Sequence, residues 1–177
     1  MTIKTIQNVL YYGSYSTLFG LCTIGIYNDQ ICYLSLSENE KTFPPINHPI
    51  WSQCKLIHHP HLAKTLITHI FKSPDTKIPI PLLLKGTPFQ LRVWHALLKT
   101  RSGELLSYKE IATLIDHKNA SRAVGQAVAQ NCIAYLVPCH RIIKSSGDIG
   151  EYRWGKPIKL ALINWEKSVT KNIKNSD

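Results

Sequence analysis

The sequence lacks long apolar runs and is poor in charged residues. No apolar stretch reaches the ~18 residues that a membrane-spanning helix needs, and the N-terminus has no basic segment followed by an apolar core and a cleavage site. Charged residues make up 18% of the 177 residues, and no internal repeat or low-complexity stretch is visible. We therefore expect a globular protein inside the cell, with no membrane partner, and we exclude a largely disordered chain.

Cysteines and acidic residues are also few. The five cysteines are an odd number at irregular spacing, which indicates reduced thiols rather than a disulfide framework. The 11 acidic residues stand against 21 lysines and arginines, so the formal net charge is +10. Such an excess attracts polyanions and makes nucleic acid the first partner to consider, although a basic surface can also serve solubility alone.

The first part of the chain predicts a small β-sheet with one helix. Residues 9–36 are rich in Ile, Leu, Tyr and Thr, and Asn28-Asp29 within them predicts the turn of a β-hairpin. Residues 38–49 are polar and contain prolines, which predicts a loop. Apolar residues at helical spacing predict a helix over residues 61–72.

A change of character near residue 80 predicts a domain boundary. Prolines alternate with isoleucines over residues 77–82, a pattern that fits neither a helix interior nor a central strand. We therefore divide the chain into an N-terminal β-rich domain, residues 1–84, and a C-terminal domain, residues 85–177.

The C-terminal domain predicts helices with clear start signals. Thr87 and Gln90 form one capping box, and Ser107 and Glu110 form another. A third helix is predicted over residues 120–130, after a short polar turn. Its inward face is predicted to carry Ala123, Val124, Ala127 and Val128. Helix, tight turn and helix together predict a helix-turn-helix motif.

Four residues of the N-terminal domain are candidate zinc ligands: Cys54, His58, His59 and His61. Their spacing does not match the common patterns of zinc ligands, so we interpret them as part of a solvated loop. We predict no metal and no other cofactor, and a structural zinc ion at these residues is the alternative.

A cysteine and a histidine are adjacent in the segment Pro138-Cys139-His140-Arg141, after an apolar run that predicts a buried strand over residues 133–137. An ordinary thiol has a pKa near ~8.5 and only its thiolate is a good nucleophile, so a base has to remove the proton. His140 can act as that base. Cys139 alone would be interpreted as a small apolar residue of the core.

Glu166 is the candidate for a carboxylate that orients His140. The helix predicted from Lys156 to about Val169 places Glu166 on the same apolar stripe as Leu162 and Ile163, so its side chain points inward. A buried carboxylate needs a partner, and His140 is a suitable one. A solvated charge near the end of the helix is the alternative.

These features belong to a dense set of motifs over residues 86–166. The set comprises Gly86-Thr87-Pro88-Phe89-Gln90, Arg92-Val93-Trp94, Ala96-Leu97-Leu98, Gly103-Glu104, Ser107-Tyr108, Ile111-Ala112, Ser121-Arg122-Ala123-Val124-Gly125, Asn131, Pro138-Cys139-His140-Arg141, Ser146-Gly147, Tyr152 and Glu166. In this order and at this spacing the sequence resembles the methylated-DNA–protein-cysteine methyltransferases, which repair O6-alkylguanine.

The resemblance implies a role for each matching residue at the reaction centre. Cys139 would accept the alkyl group, His140 would deprotonate it through a water, and Glu166 would orient His140. Asn131 would hold the loop that frames the site. Tyr108 would donate a proton to the guanine leaving group.

The resemblance also implies binding to double-stranded DNA that contains O6-alkylguanine, and to O4-methylthymine as a second lesion. The damaged base has to be flipped out of the duplex, and Arg122 would fill the gap, with a simple phosphate contact as the alternative. The helix that carries Arg122 would lie in the minor groove. The DNA-binding residues would be Tyr108, Ser121, Arg122, Ala123 and Gly125. The base pocket would be lined by Val137, Pro138, Tyr152, Arg153 and Trp154.

The expected fold is α+β, with a ribonuclease H-like N-terminal domain and a C-terminal domain that resembles a winged helix-turn-helix. The expected activity is a single alkyl transfer per molecule, because a thioether on Cys139 has no easy route to hydrolysis. We expect a monomer without an obligate protein partner, located in the cytoplasm and associated with the nucleoid, or in the nucleus, depending on the organism.

Two departures from the family pattern and two other functions stay open. Trp154 is expected to narrow the pocket and favour methyl over benzyl groups, and Cys132, which replaces a common proline, is interpreted as a packing residue. One alternative function is a recognition protein that flips O6-alkylguanine and recruits other repair factors without reacting. The other is a cysteine hydrolase that uses Cys139 and His140 and turns over many times.

Overall fold

The computed structural model describes residues 8–38, 54–74, 76–78 and 80–174. The loop predicted over residues 38–49 lies outside these residues, except for its first position. Among the helices described, none is both long enough and apolar enough to cross a lipid bilayer.

The N-terminal part is a mixed four-stranded sheet with a helix packed on it. Strands β1 (Val9–Thr17), β2 (Gly20–Tyr27) and β3 (Gln30–Ser37) form an antiparallel meander, and β4 (Lys55–His58) pairs in parallel with β1. The order across the sheet is β3-β2-β1-β4. Helix α1 (Pro60–Ile70) packs mainly against β1. The predicted sheet and helix are confirmed.

The hairpin turn is confirmed, and the segment around the candidate zinc ligands is corrected. Asn28 and Asp29 have φ values of 48° and 57°, which a tight hairpin turn requires. Lys55–His58 is strand β4, where the sequence predicted a solvated loop, because four residues at a sheet edge carry too little alternation to be recognised. His59 caps α1, since its Nδ1 accepts a hydrogen bond of 3.2 Å from the Leu62 amide.

The C-terminal part is mostly helical and contains both predicted capping boxes. Thr87 with Gln90 and Ser107 with Glu110 exchange the reciprocal hydrogen bonds that define this cap. Its elements are α2 (Pro88–Leu98), β5 (Leu106–Ser107), α3 (Tyr108–Leu114), α4 (Ser121–Ala129), a short 3₁₀ helix (Cys139–Arg141), β6 (Ile142–Ile143) and α5 (Lys156–Lys174). Strands β5 and β6 pair in parallel.

Helices α3 and α4 form the predicted helix-turn-helix arrangement, with one correction to the inward face of α4. Val124 and Ala127 are buried and Val128 is partly buried, as predicted, but Ala123 is exposed. The physical reason is that alanine favours a helix on either face, so its apolar character is a weak indicator of burial.

The two parts share one apolar core and are joined by backbone hydrogen bonds along the outer edge of β3. The Leu34 amide donates to the Cys132 carbonyl (3.0 Å), and within residues 1–84 the Ile31 amide donates to the Pro81 carbonyl (2.9 Å). The Ala134 amide in turn donates to the Leu34 carbonyl (2.8 Å). The loop that leads to Cys139 is therefore supported by the N-terminal sheet.

Candidate active site

The segment that precedes Cys139 is a loop and not the strand that the sequence predicted. Residues 133–137 contain a turn in which Tyr135 has a φ of 63°. Cys139 begins the short 3₁₀ helix. An apolar loop can be buried only if its backbone polar groups find partners. The side chain of Asn131 supplies several of them.

Asn131 holds this loop and contacts the sulfur of Cys139. Its Nδ2 donates to the carbonyls of Ile133 (3.1 Å) and Val137 (3.0 Å) and lies 3.1 Å from Cys139 Sγ. Its Oδ1 accepts a hydrogen bond of 2.9 Å from the Ile133 amide. Since Asn131 is buried, these bonds form in a medium of low polarity and fix the position of the thiol.

The Cys139 thiol is buried and protonated at neutral pH. Burial raises its pKa to about 11, although the hydrogen bond from Asn131 and the nearby hydroxyl of Tyr152 oppose the shift. The thiol is therefore inert by itself, and a base beside it is needed to produce the nucleophile.

His140 is a fully buried base whose orientation is fixed by Glu166. Its Nε2 lies 2.9 Å from Glu166 Oε1, whereas its buried Nδ1 has no hydrogen-bond partner among the described residues. The carboxylate accepts a hydrogen from Nε2, which leaves the lone pair of Nδ1 available to take a proton. Burial lowers the pKa of His140, and the hydrogen bond to Glu166 opposes the shift, so the imidazole is neutral at neutral pH.

Glu166 stays ionised because several donors surround its carboxylate. Besides His140, it accepts from Arg141 Nη2 (2.8 Å) and from the Gly103 amide (2.9 Å). Burial alone would raise its pKa, but the hydrogen bonds from His140 and Arg141 outweigh burial and lower the pKa to about 2. Arg141 Nη1 also donates to the Thr100 carbonyl (2.6 Å), which anchors the guanidinium.

A pocket of about 320 Å³ lies between α4 and the segment at 151–153, with Cys139 in its lining. The residues that line it are Tyr108, Gly125, Val128, Ala129, Cys139, Glu151, Tyr152 and Arg153. The volume is at the lower end of the range of pockets for small organic groups, roughly 300–1,000 Å³. A Cβ atom at Gly125 would lie 3.7 Å from the Tyr108 ring, which is an ordinary van der Waals distance.

The residues predicted for the base pocket and for DNA binding lie in three places: the pocket, its surroundings and the first turn of α4. Tyr108, Gly125, Tyr152 and Arg153 line the pocket together with Cys139. Val137, Pro138 and Trp154 are not among its lining residues, and Trp154 packs edge-on against Tyr152 with the ring centroids 5.2 Å apart. The preference for methyl groups, which depended on Trp154, stays a prediction. The third location is the first turn of α4, where Ser121 is partly buried and Arg122 and Ala123 are exposed.

Two functional candidates were missed by the sequence analysis. Arg141 belongs to the motif Pro138-Cys139-His140-Arg141, and the structure shows that it shares the Glu166 carboxylate with His140. Lys159 is buried, and its Nζ donates to the carbonyls of Ile142 and Ile149, both at 2.5 Å. Burial lowers the pKa of Lys159 to about 8. Its spacing of seven residues from Glu166, on the same face of the helix, was the signal that could have revealed it.

The described residues contain no group of three His, Cys, Asp or Glu side chains arranged to hold a metal ion. Of the four candidate zinc ligands, His58 belongs to β4 and tilts against the ring of Tyr12, and His59 caps α1.

The site combines a cysteine buried beside a pocket, an oriented base and an adjoining helix-turn-helix. Comparison with known proteins identifies the family in which this combination occurs. Residues 88–168 match the family model of the 6-O-methylguanine DNA methyltransferase DNA-binding domain. The methylated-DNA–protein-cysteine methyltransferase of Mycobacterium bovis is 50% identical over 98 residues, which are 55% of this chain and 59% of the relative. The bifunctional transcriptional activator/DNA repair enzyme Ada of Escherichia coli is 33% identical over 147 residues, 83% of this chain and 40% of the relative.

The O6-methylguanine methyltransferase of Mycobacterium tuberculosis has a similar solved structure. The TM-score is 0.75 at 34% identity, and the match covers 90% of this chain and 94% of that chain. A structure of the Mycobacterium tuberculosis protein in complex with DNA matches with a TM-score of 0.74. The chain therefore belongs to the O6-methylguanine DNA methyltransferase family. It spans about 40 to 59% of the length of the curated relatives that it matches.

Proposed function

We propose that this protein repairs alkylated DNA by transferring an alkyl group from O6-alkylguanine to Cys139 in a single, irreversible reaction. The observation that carries the proposal is the joint geometry of Cys139, Asn131, His140 and Glu166. A thiol held by an amide and followed by an oriented neutral base is suited to nucleophilic attack. A recognition protein that does not react has no need of such a base.

These positions support the following reaction. His140 Nδ1 takes the proton of the Cys139 thiol through a water, and Glu166 stabilises the imidazolium that forms. The thiolate attacks the alkyl carbon, a C–S bond forms, and the bond between that carbon and O6 breaks with its electron pair going to guanine. Tyr108 donates a proton to the guanine. Burial raises the pKa of Tyr108, so its hydroxyl is protonated and able to donate at neutral pH.

Double-stranded DNA is the proposed partner. The chain carries a net charge of +10, α4 exposes Arg122 in its first turn, and the pocket adjoins α4. The Mycobacterium tuberculosis protein of similar fold has been solved with DNA. An O6-alkyl group lies inside the base stack, so the damaged nucleotide has to rotate out of the duplex to reach Cys139. We further propose that O4-methylthymine is a second lesion, and that Ser121, Ala123 and Gly125 contact the DNA near Arg122.

The remaining assignments are proposals of the same kind. Residues 1–84 and 85–177 would form two domains that share one core, and the protein would act as a monomer on the DNA of the cytoplasm or nucleus. Val137 and Pro138 would serve the pocket through their backbone, since the Val137 carbonyl is held by Asn131.

Mass spectrometry of the protein after incubation with a slight excess of duplex containing one O6-methylguanine tests the proposed function. We expect the peptide that contains Cys139 to gain one methylene, and the reaction to stop when each protein molecule has reacted once. An unmodified protein that binds the lesion tightly would favour the recognition function. Repeated turnover would favour the hydrolase.

Removal of the Arg122 side chain is expected to weaken lesion processing more than general DNA binding. In Arg122→Ala, the gap left by the flipped base is no longer filled, so we expect the single-turnover rate constant to fall roughly 10- to 100-fold, which corresponds to ~1.4–2.8 kcal/mol. Rapid-quench assays with a methylated duplex measure this rate.

Lys118→Ala is the matched control, since Lys118 is an exposed cation in the turn before α4. In Lys118→Ala, the loss of one expected phosphate contact should weaken binding to all DNA sequences and reduce the salt dependence of that binding. Equal effects of both variants on rate and binding would show that Arg122 only contacts phosphate.

A further inference from the structure

Tyr135 has an unusual backbone conformation, and its ring stacks against the imidazole of His140. Its φ of 63° is one that residues with a side chain rarely adopt. The two rings are stacked, with centroids 5.6 Å apart and an interplanar angle of 20°. The left-handed turn therefore places an aromatic face on the proposed base.

The Tyr135 ring is held in place by the N-terminal part of the chain and by α5. Its hydroxyl donates to the Pro74 carbonyl at 3.2 Å. Its ring centroid lies 5.1 Å from that of Phe71 and 5.7 Å from that of Trp165, the residue before Glu166. Tyr135 is 7% exposed, so these contacts leave it little freedom to move.

We propose that Tyr135 is a positioning residue for His140, which fixes the plane of the imidazole and stabilises the imidazolium through its aromatic face. The inference rests on the proposed function, because it acts on the proton transfer from Cys139 to His140. An aromatic face attracts a cation placed within about 6 Å of its centre. The imidazolium exists only after the proton transfer, so the attraction favours that step.

The charged groups around His140 affect the stability of its imidazolium, which the contact with Tyr135 is proposed to increase. Glu166 on α5 favours the imidazolium, whereas Arg141 on the 3₁₀ helix and Lys159 on α5 disfavour it, as does burial. The Cys139 thiol adjoins His140 in sequence and gives up its proton in the step. Because Arg141 also binds Glu166, the imidazole shares this carboxylate with a guanidinium. The electron-rich ring of Tyr135 partly offsets this excess of positive charge.

The test is the single-turnover rate of methyl transfer to Cys139, measured from acidic to mildly alkaline pH in the wild type and in ring variants. Tyr135→Phe keeps the aromatic face and removes the hydroxyl. Tyr135→Leu and Tyr135→Met both remove the face, and two such variants are made so that a folding failure in one leaves the other. Phe19→Leu is the matched control, because Phe19 contacts Phe71 and Trp165 in the same cluster.

We expect Tyr135→Phe to keep the wild-type rate and pH profile. The leucine and methionine variants should lower the plateau rate roughly five- to tenfold and shift the acidic limb of the profile to lower pH, because the imidazolium is less stable without the ring. The reacting fraction should stay the same, which separates this effect from a loss of folded protein. Phe19→Leu should leave the acidic limb unchanged.

A wild-type rate and pH profile in the leucine or methionine variant would overturn the inference, as would the same shift of the limb in Phe19→Leu. The wild-type protein distinguishes this failure from a failure of the proposed function. If the wild type transfers no methyl group, the proposed function is wrong and the inference falls with it.

Discussion

Cys139→Ser is expected to abolish alkyl transfer while the protein still binds the lesion. Serine keeps a small polar atom at the position that Asn131 contacts at 3.1 Å, so the loop should retain its shape. A hydroxyl is far harder to ionise than a thiol and is a weaker nucleophile at carbon. We therefore expect the rate constant to fall at least ~10⁴-fold, equivalent to ~5 kcal/mol on the barrier.

Two measurements check this prediction: methyl transfer followed by mass spectrometry, and binding to a duplex with one O6-methylguanine followed by fluorescence anisotropy. Cys132→Ser is the matched control, because Cys132 is a partly buried thiol next to Asn131 with a contact of 3.7 Å to the Cys32 carbonyl. It should react at nearly the wild-type rate. Methyl transfer by Cys139→Ser at a comparable rate would refute the assignment of the acceptor.

Glu166→Gln is expected to impair both catalysis and stability. The neutral amide cannot stabilise the imidazolium of His140, so we expect a loss of roughly 10²–10⁴-fold in rate, the range for loss of general base catalysis. The same change leaves the buried Arg141 guanidinium without its carboxylate. Breaking a buried ion pair from one side costs about 3–5 kcal/mol of unfolding free energy.

The pH dependence of stability gives a second signature of Glu166. Its pKa is about 2 in the folded protein, below the value of roughly 4.3 for a free glutamate. The stabilisation is therefore fully present above the unfolded pKa and is lost as pH falls from there towards the folded pKa. Glu166→Gln should lack this part of the acid sensitivity.

Urea unfolding across that pH range, together with single-turnover rates, measures both effects. Glu104→Gln is the control, since Glu104 is exposed and accepts a hydrogen bond from the Arg101 amide. A surface change of this kind typically alters the unfolding free energy by less than ~0.5 kcal/mol. If Glu166→Gln changes the rate and the unfolding free energy as little as Glu104→Gln does, the network of His140, Arg141 and Glu166 supports neither catalysis nor stability.

The features that the sequence predicted well are those with a local signature. The capping boxes at Thr87 and Ser107 involve residues three apart, and the inward position of Glu166 follows from helical spacing relative to Leu162. The structure confirms both boxes and buries Glu166. These predictions needed no knowledge of distant parts of the chain.

The features that the sequence could not predict depend on long-range contacts. The apolar run at 133–137 has the composition of a strand, but it forms a loop in which the Asn131 side chain binds the carbonyls of Ile133 and Val137. Tyrosine favours strands, so the residue type at position 135 gives no indication of the positive φ that Tyr135 adopts. The contact of Tyr135 with Pro74 joins residues 61 positions apart.

The pairing of the active-site loop with the edge of β3 has a consequence for self-association. A strand edge with unpaired amides and carbonyls is a template for another chain, and here the segments at 81–83 and 132–134 cover it. The same backbone groups that support Cys139 thus also protect the sheet from intermolecular pairing. We therefore expect that damage which detaches this loop from β3 both displaces Cys139 and promotes aggregation.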